Sequence, residues 1–227
     1  MTIGSRGALR RFWESDPALS LFLGLLVLFL FVLPPLEPEG RAGGVVVDLG
    51  FSALLLAGVA AVSSRPAVRA ALFGLVVVAT AVRWGPFPVQ ATVAAGLVSV
   101  AAMALVVLAQ TFRAGPVNVH RIQGAVAAYL LLGLGWALAY ELVALLATGA
   151  FSGSGLGGGE RPGFVYFSFV TLSTVGYGDV TPVHPVARSL AVAEALTGQL
   201  YPAILIGRLV TLATGSGPAG PATGASR

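Results

Sequence analysis

The stretch Thr174-Val175-Gly176-Tyr177-Gly178-Asp179 contains residue types that can turn a backbone into a row of oxygen ligands. Carbonyls alternate direction along an ordinary strand, but Gly176 and Gly178 can adopt the positive φ values that bring successive carbonyls to one side. Such a row, with the Thr174 hydroxyl at its end, can replace the hydration water of a monovalent cation. One chain supplies one wall of this cage, so we expect four chains to meet on an axis. The alternative interpretation is a Gly-Tyr-Gly turn in a loop.

The composition indicates what kind of elements must position this stretch. Of the 227 residues, 56% are hydrophobic and 10% are charged, whereas a soluble domain usually carries about 25% charged residues. Together with a mean hydropathy of +0.90, this predicts a multi-span membrane protein. The 13 basic residues are all arginines, and the net charge of +4 fits the bias of membrane loops better than nucleic-acid binding. The chain has no cysteine, which excludes disulfides, thiol catalysis and thiolate metal sites.

Six apolar runs predict an all-α membrane protein with six transmembrane helices. Ser15-Asp16-Pro17 favours a helix start, and Pro34-Pro35 predicts the end of the first run. A secretory signal is the alternative for that run, but no small-residue cleavage pattern follows it. The predicted spans are S1 Leu19–Leu33, S2 Val45–Val62, S3 Val68–Val82, S4 Val89–Phe112, S5 Val119–Leu146 and S6 Pro185–Leu212.

The spans divide the chain into four parts. Residues 1–16 are predicted to be a cytoplasmic N-terminus and residues 17–113 a four-helix S1–S4 domain. Residues 119–212 form the predicted pore domain, in which a short aromatic helix at 162–173 precedes the stretch at 174–179. Residues 213–227 lack periodicity and are predicted to be a disordered cytoplasmic tail.

Arginine placement predicts the orientation of these spans. Six spans put both termini on the same side of the membrane. Nine arginines lie on that side and four on the other. Because basic residues favour the cytoplasmic side, we expect a multi-pass plasma-membrane protein with both termini in the cytoplasm. Asp179 then faces outward. The cytoplasmic set is Arg6, Arg10, Arg11, Arg65, Arg69, Arg113, Arg121, Arg208 and Arg227, and the outer set is Arg41, Arg83, Arg161 and Arg188.

From Val119 to Leu212 the chain resembles the pore module of the tetrameric potassium-channel superfamily, with the specific match at 162–210. The TVGYG sequence is the signature of that family's selectivity filter, and bacterial six-span potassium channels without a cytoplasmic regulatory domain are the nearest group. The resemblance implies a homotetramer in lipid that conducts K⁺, with no cofactor. The implied roles are K⁺ coordination by Thr174, Val175, Gly176 and Tyr177, an exit turn at Gly178, an outer mouth at Asp179 and a cavity surface at Ser173.

The residues that would support the filter differ from those that the family usually has. Many members carry two tryptophans, as a cuff that holds the filter open, where this chain has Tyr166 and Phe167. The Tyr166 hydroxyl can hydrogen-bond Asp179, but Phe167 cannot donate to Tyr177. Val170 stands where some relatives have a glutamate, so Asp179 lacks that partner. The sequence therefore predicts a weaker cuff and a filter prone to inactivation.

The predicted S6 helix contains a glycine and a proline that act on one turn. Gly198 lies where the family has its inner-helix hinge glycine, and Pro202 follows four residues later. Proline lacks the N–H that would bond the carbonyl of Gly198, so both residues weaken the same turn. The resemblance implies a gating hinge, and a passive packing kink is the alternative.

Two acidic residues and two histidines lie outside the filter. Glu141 and Glu194 fall at membrane depth, where carboxylates are costly and usually face protein or water. Either could bond the pore helix or the chain behind the filter, as a structural acceptor or as a group that tunes conductance or pH response. Neither His120 nor His184 has the spacing of a metal ligand, and His184 near the outer mouth is a candidate pH sensor or a solvated loop residue.

The predicted S4 helix carries no charge, only Gln90 and Gln110, with Arg113 at its inner boundary. Voltage sensors place repeated arginines in S4, so we expect little or no S4-based voltage gating. The tail after S6 is too short for a ligand-binding domain, so we expect no soluble ligand sensor.

The chain shows no Ser/His/Asp set, phosphate loop or paired carboxylates, which predicts that it is not an enzyme. The expected function is passive, K⁺-selective conduction. A weakly selective cation channel and a non-conducting, channel-like regulatory subunit are the alternatives.

Overall fold

The helices in this computed structural model follow the apolar runs of the sequence, and the structure describes residues 17–36, 41–62, 66–112, 119–153 and 163–214. The predicted N-terminal segment and nearly all of the predicted tail lie outside these residues. The long helices are α3 (Arg41–Val62), α4 (Pro66–Trp84), α5 (Val89–Thr111), α6 (Val119–Leu146) and α8 (Pro185–Thr214).

Five helices of the described part are long and apolar enough to cross a membrane, namely these same five. They correspond to the predicted S2 to S6. The predicted S1 corresponds to a shorter apolar helix, Ala18–Val32. The length and composition of these helices therefore indicate a multi-pass membrane protein. The apolar helix Ala18–Val32 is shorter than the other five.

The first helical run continues further than the sequence predicted. It consists of α1 (Pro17–Val27), a π-helical segment (Leu28–Val32) and α2 (Leu33–Leu36). Pro34-Pro35 was expected to end the helix, but both prolines lie in α2. In the π-helical segment the N–H of Leu33 bonds to the carbonyl of Leu28, five residues back. The wider turn lies next to the two residues that cannot donate an N–H, so it adjusts the helix where α-helical bonds are lost.

Two of the N-terminal helices, α1 and α5, pack against α6 of their own chain. The helices α5 and α6 share the most extensive contact, and α1 also contacts α6. At one such contact the side-chain amide of Gln123 donates to Ser20 Oγ at 2.9 Å, with both residues buried. The S1–S4 region and the pore region of one chain therefore share a continuous apolar core, which includes Phe22, Leu54, Met103 and Leu131.

An ion pair links the N-terminal part of α3 to the C-terminal end of α4. Arg83 Nε donates to Asp48 Oδ1 at 2.8 Å, and the guanidinium carbon lies 4.7 Å from the centre of the Phe51 ring. The charges of Asp48 and Arg83 therefore pair with each other between two neighbouring helices. The helix α5, which corresponds to S4, contains no charged residue.

A short helix and two strands lie between α6 and α8. The helix is α7 (Phe164–Leu172), inside the predicted 162–173 range. The strands β1 (Phe151–Gly153) and β2 (Val180–Pro182) pair antiparallel, with Phe151 opposite Pro182 and Gly153 opposite Val180. The sequence predicted no strand here, since three residues are too few to show a strand pattern. This pair ties the segment after α6 to the segment that follows the 174–179 stretch.

Candidate functional site

The backbone of the 174–179 stretch alternates in the sign of φ. Thr174, Gly176 and Gly178 have φ of +61°, +58° and +77°, whereas Val175 and Tyr177 between them do not have positive φ. Alternation between left- and right-handed conformations places successive N–H groups on one side of the chain and the carbonyls on the other. Glycine adopts positive φ freely, while a β-branched residue such as Thr174 pays about 1–2 kcal/mol for it. The stretch therefore has positive φ at the two glycines, the conformation that a carbonyl row requires.

The N–H side of this stretch faces the end of α7. The Val170 carbonyl accepts the N–H of Val175 at 3.0 Å and that of Gly176 at 3.3 Å, and the Thr174 N–H donates to Thr171 at 2.9 Å. The last carbonyls of a helix have no partner within it, so the stretch caps α7 while α7 fixes the stretch. Val170 thus supports the stretch through its backbone carbonyl.

The other side of the stretch is uncovered within one chain. Every residue from 173 to 179 is exposed, and the side chains of Val175 and Tyr177 are 52% and 72% exposed. Ser173 follows the last residue of α7, and its hydroxyl donates back to the Phe169 carbonyl at 2.6 Å. A carbonyl row that is open on one side forms a complete cage only when further chains bring equivalent rows to it.

The Asp179 end of the stretch contacts Tyr166 and the strand pair. Tyr166 lies beside Asp179, and hydrogen bonding to Asp179 is the main cause that raises the pKa of the Tyr166 phenol. A Cβ placed on Gly153 of β1 would overlap the Asp179 carbonyl. Only a glycine at 153 therefore lets the strand pair approach Asp179 so closely.

The structure gives Phe167 a different neighbourhood from that of Tyr166. Phe167 is buried, and its ring centre lies 4.9 Å from that of Tyr140 and 5.7 Å from that of Phe151. Phe151 in turn packs against Phe164 at 5.0 Å. Phe167 therefore anchors α7 in an aromatic cluster behind the stretch, and Tyr166 supplies the hydrogen bond to its outer end.

We expect Tyr166→Phe to shorten the time over which current persists at constant voltage, because it removes the hydrogen bond to Asp179 and leaves the ring in place. Tyr166 is 45% exposed, so the substitution opens no cavity in the core. Macroscopic current decay after a concentration or voltage step, compared with wild type, measures the effect. An unchanged decay would show that this bond does not hold the outer end.

The two membrane-depth acids differ in their environment. Glu194 is fully buried, and its carboxyl lies between α6 and α7, at 2.5 Å from both Tyr140 and Ser168. It therefore bonds the pore helix, one of the options that the sequence left open. Glu141 is partly buried in α6. The sequence interpretation missed Ser168 and Tyr140, although a serine within the apolar run of α7 was a signal of a buried polar partner.

Gly198 lies at a close contact between α8 and the end of α7. A Cβ added to Gly198 would overlap the carbonyl oxygen of Leu172. The helix α8 continues through Gly198 and Pro202 to Thr214. Next to Pro202, the Tyr201 hydroxyl donates to the Ala125 carbonyl of α6 at 2.7 Å. The structure therefore adds a packing requirement at Gly198 to its predicted role as a hinge.

The start of α8 is capped by the side chain of His184. The N–H of Val186 donates to His184 Nδ1 at 3.3 Å, and Arg188 Nε donates to the Pro182 carbonyl of β2 at 3.2 Å. Within the described residues no group of three or more His, Asp or Glu side chains could hold a metal ion.

Comparisons with known proteins bear on the same region. The family described as an ion channel matches residues 126–214, which span most of α6, all of α7, the 174–179 stretch and α8. The protein LctB of Bacillus caldotenax is 37% identical over 87 residues, and that of Geobacillus stearothermophilus is 52% identical over 46 residues. These matches cover 36% and 20% of this chain, and 64% and 34% of the length of the two relatives. No solved structure is significantly similar to the chain.

Proposed function

We propose that the ion-channel domain at residues 126–214 forms a K⁺-selective pore that conducts passively. The observation that carries this proposal is the alternating sign of φ from Thr174 to Gly178, with the N–H groups bonded to the end of α7. Backbone carbonyls in such a row replace the hydration shell of K⁺. In this proposal Thr174, Val175, Gly176 and Tyr177 coordinate K⁺, and Asp179 attracts cations to the outer mouth.

Each chain supplies one wall of the proposed cation cage, so four chains assemble as a homotetramer to complete it. The exposed carbonyl row faces the axis, and the exposed apolar residues of α8 supply contacts between subunits or line the pore. The C-terminal end of α7 carries partial negative charge, which favours a cation in the cavity beside Ser173. The first helical run joins the five longer helices as a sixth span, and both termini lie in the cytoplasm of the plasma membrane. Lipid surrounds the helices, and K⁺ is the permeant ligand.

Flux from reconstituted vesicles tests the proposal. Vesicles loaded with K⁺ and diluted into Na⁺ with a protonophore should take up protons, because K⁺ efflux makes the interior negative, and a pH-sensitive dye reports the uptake. Vesicles loaded with Na⁺ and diluted into an impermeant cation should show no uptake. Uptake by the Na⁺-loaded vesicles, with little uptake by the K⁺-loaded vesicles because Na⁺ entry balances K⁺ efflux, would indicate a weakly selective cation channel. No uptake in either, from a folded assembly, would indicate a non-conducting subunit.

We expect the conductance to be nearly independent of voltage. Moving one charge across the field supplies about 2.3 kcal/mol per 100 mV, and α5 has no charge to move. The nearby charges Asp48 and Arg83 pair with each other, so moving them together transfers no net charge. Steady-state conductance recorded at voltages of both signs checks this expectation. A steep curve in the wild type would contradict it, unless mutations in the filter alone abolish the steepness.

A further inference from the structure

A carboxyl group behind the filter joins the three helices of the pore region. Glu194 of α8 is fully buried, with Oε2 at 2.5 Å from the Tyr140 hydroxyl of α6 and Oε1 at 2.5 Å from the Ser168 hydroxyl of α7. Ser168 Oγ also lies 2.7 Å from the carbonyl oxygen of Gly133 in α6. These atoms form one chain of oxygens from Tyr140 through Glu194 and Ser168 to Gly133.

The number of protons that this chain of oxygens needs indicates the protonation state of Glu194. It contains three oxygen–oxygen contacts at hydrogen-bonding distance, and each needs one proton between its oxygens. Tyr140 and Ser168 carry one hydroxyl proton each, and the Gly133 carbonyl carries none. If Glu194 were ionised, one contact would bring two oxygen lone pairs together in a buried place. A proton on Glu194 Oε1 satisfies all three contacts, with Ser168 donating to Gly133.

Among the described residues, no charge lies where it would balance an ionised carboxylate. The polar groups that bond Glu194 are the neutral hydroxyls of Ser168 and Tyr140, and the Tyr129 phenol of α6 also interacts electrostatically with it. On α8 itself, the Arg188 guanidinium donates a hydrogen bond to the Pro182 carbonyl. Within the described residues, Glu194 has no cation at ion-pair distance. A buried and unpaired charge is costly, which agrees with the proton count.

We propose that Glu194 is a protonated carboxylic acid that positions the pore helix, and through it the filter, by linking α6, α7 and α8. This inference rests on the proposed function for its consequence in conduction. Ser168 lies two residues before Val170, whose carbonyl holds the N–H groups of Val175 and Gly176. One turn beyond Glu194, Gly198 contacts the end of the same helix at Leu172. The inner helix thereby fixes α7 at two points behind the carbonyl row.

Two conservative variants separate a neutral link from a charged one. In Glu194→Gln, the amide N–H can donate to Ser168 and the amide oxygen can accept from Tyr140, so the neutral pattern is kept. In Glu194→Asp, the acid is one methylene too short to reach both hydroxyls. We expect Glu194→Gln to retain assembly, thermal stability and K⁺ flux, and Glu194→Asp to lose flux and melt at a lower temperature. A Glu194→Gln variant that fails to assemble or conduct would overturn the proposal.

Infrared spectroscopy reads the proton directly and does not depend on conduction. The wild-type protein in vesicles should show the carbonyl stretching band of a protonated carboxylic acid at neutral pH, and Glu194→Gln should lose it. Glu141→Gln, in α6, is the matched control and should keep the band. A wild-type spectrum without that band, or a band unchanged by Glu194→Gln, would overturn the proposal. Wild-type protein that shows the band but carries no K⁺ flux would contradict the proposed function and leave the protonated link supported.

Discussion

Replacing Gly178 with alanine is expected to abolish K⁺-selective conduction while the chain still folds and inserts. Gly178 has φ of +77°, and no atom lies within 4 Å of the position that a Cβ would take. The obstacle is therefore the backbone conformation and not the space. An alanine at this φ costs about 1–2 kcal/mol per subunit, or about 4–8 kcal/mol in a tetramer. Relief of that strain rotates the peptide between Tyr177 and Gly178, which turns the Tyr177 carbonyl out of the row.

The measurement compares K⁺ flux and the oligomeric state of Gly178→Ala with those of a matched variant. Gly74→Ala is the control, because Gly74 lies in α4 with ordinary helical φ and with open space at its Cβ position. We expect the control to conduct like wild type and both variants to assemble. Selective K⁺ flux through Gly178→Ala at the wild-type level would refute the role given to the alternating backbone.

Replacing Gly198 with alanine is expected to destabilise the pore region and abolish flux together. The added methyl group would overlap the Leu172 carbonyl, which is backbone and cannot turn aside as a side chain can. Such overpacking costs about 1–3 kcal/mol per site. Any shift that relieves it moves the end of α7, from which the filter begins. Gly207→Ala in the same helix meets no atom within 4 Å and is the matched control.

Thermal unfolding of the assembled protein and K⁺ flux, measured on both variants, distinguish packing from a hinge. We expect Gly198→Ala to melt well below wild type, and Gly207→Ala to match or exceed it. If Gly198→Ala were as stable as the control, the contact with Leu172 would not be tight in the assembly. Pro202→Ala then tests the hinge separately, since it restores the N–H bond to the Gly198 carbonyl without adding bulk near α7. Under the hinge hypothesis, it shifts the open probability and leaves stability unchanged or higher.

The helices of the fold were largely predictable because apolar runs of span length leave few other structures possible in lipid. The bounds of α6 match the predicted S5, and the other long helices differ at their ends. Pro34-Pro35 gave the clearest difference, because a π-helical turn accommodates the missing donors within a continuous helix. The strand pair was not predictable, since its partners are far apart in sequence and three residues long.

Within the site, the sequence predicted the local backbone better than the contacts between elements. The glycine spacing predicted positive φ at Gly176 and Gly178, whereas positive φ at Thr174 goes against its own preference and comes from the bonds to the end of α7. The partners of Glu194 lie on two other helices, so their identity depends on how those helices pack. The same holds for Gly198, whose contact with Leu172 no local pattern reveals.

The reversal potential of single-channel or macroscopic current tests the central claim most directly. Purified wild-type protein in a planar bilayer is recorded while K⁺ on one side is replaced stepwise by Na⁺. If the carbonyl row of Thr174 to Gly178 selects K⁺, the reversal potential should follow the K⁺ equilibrium potential at every step. A reversal potential that stays near zero as Na⁺ replaces K⁺ would show that the pore does not distinguish the two ions and would contradict the claim.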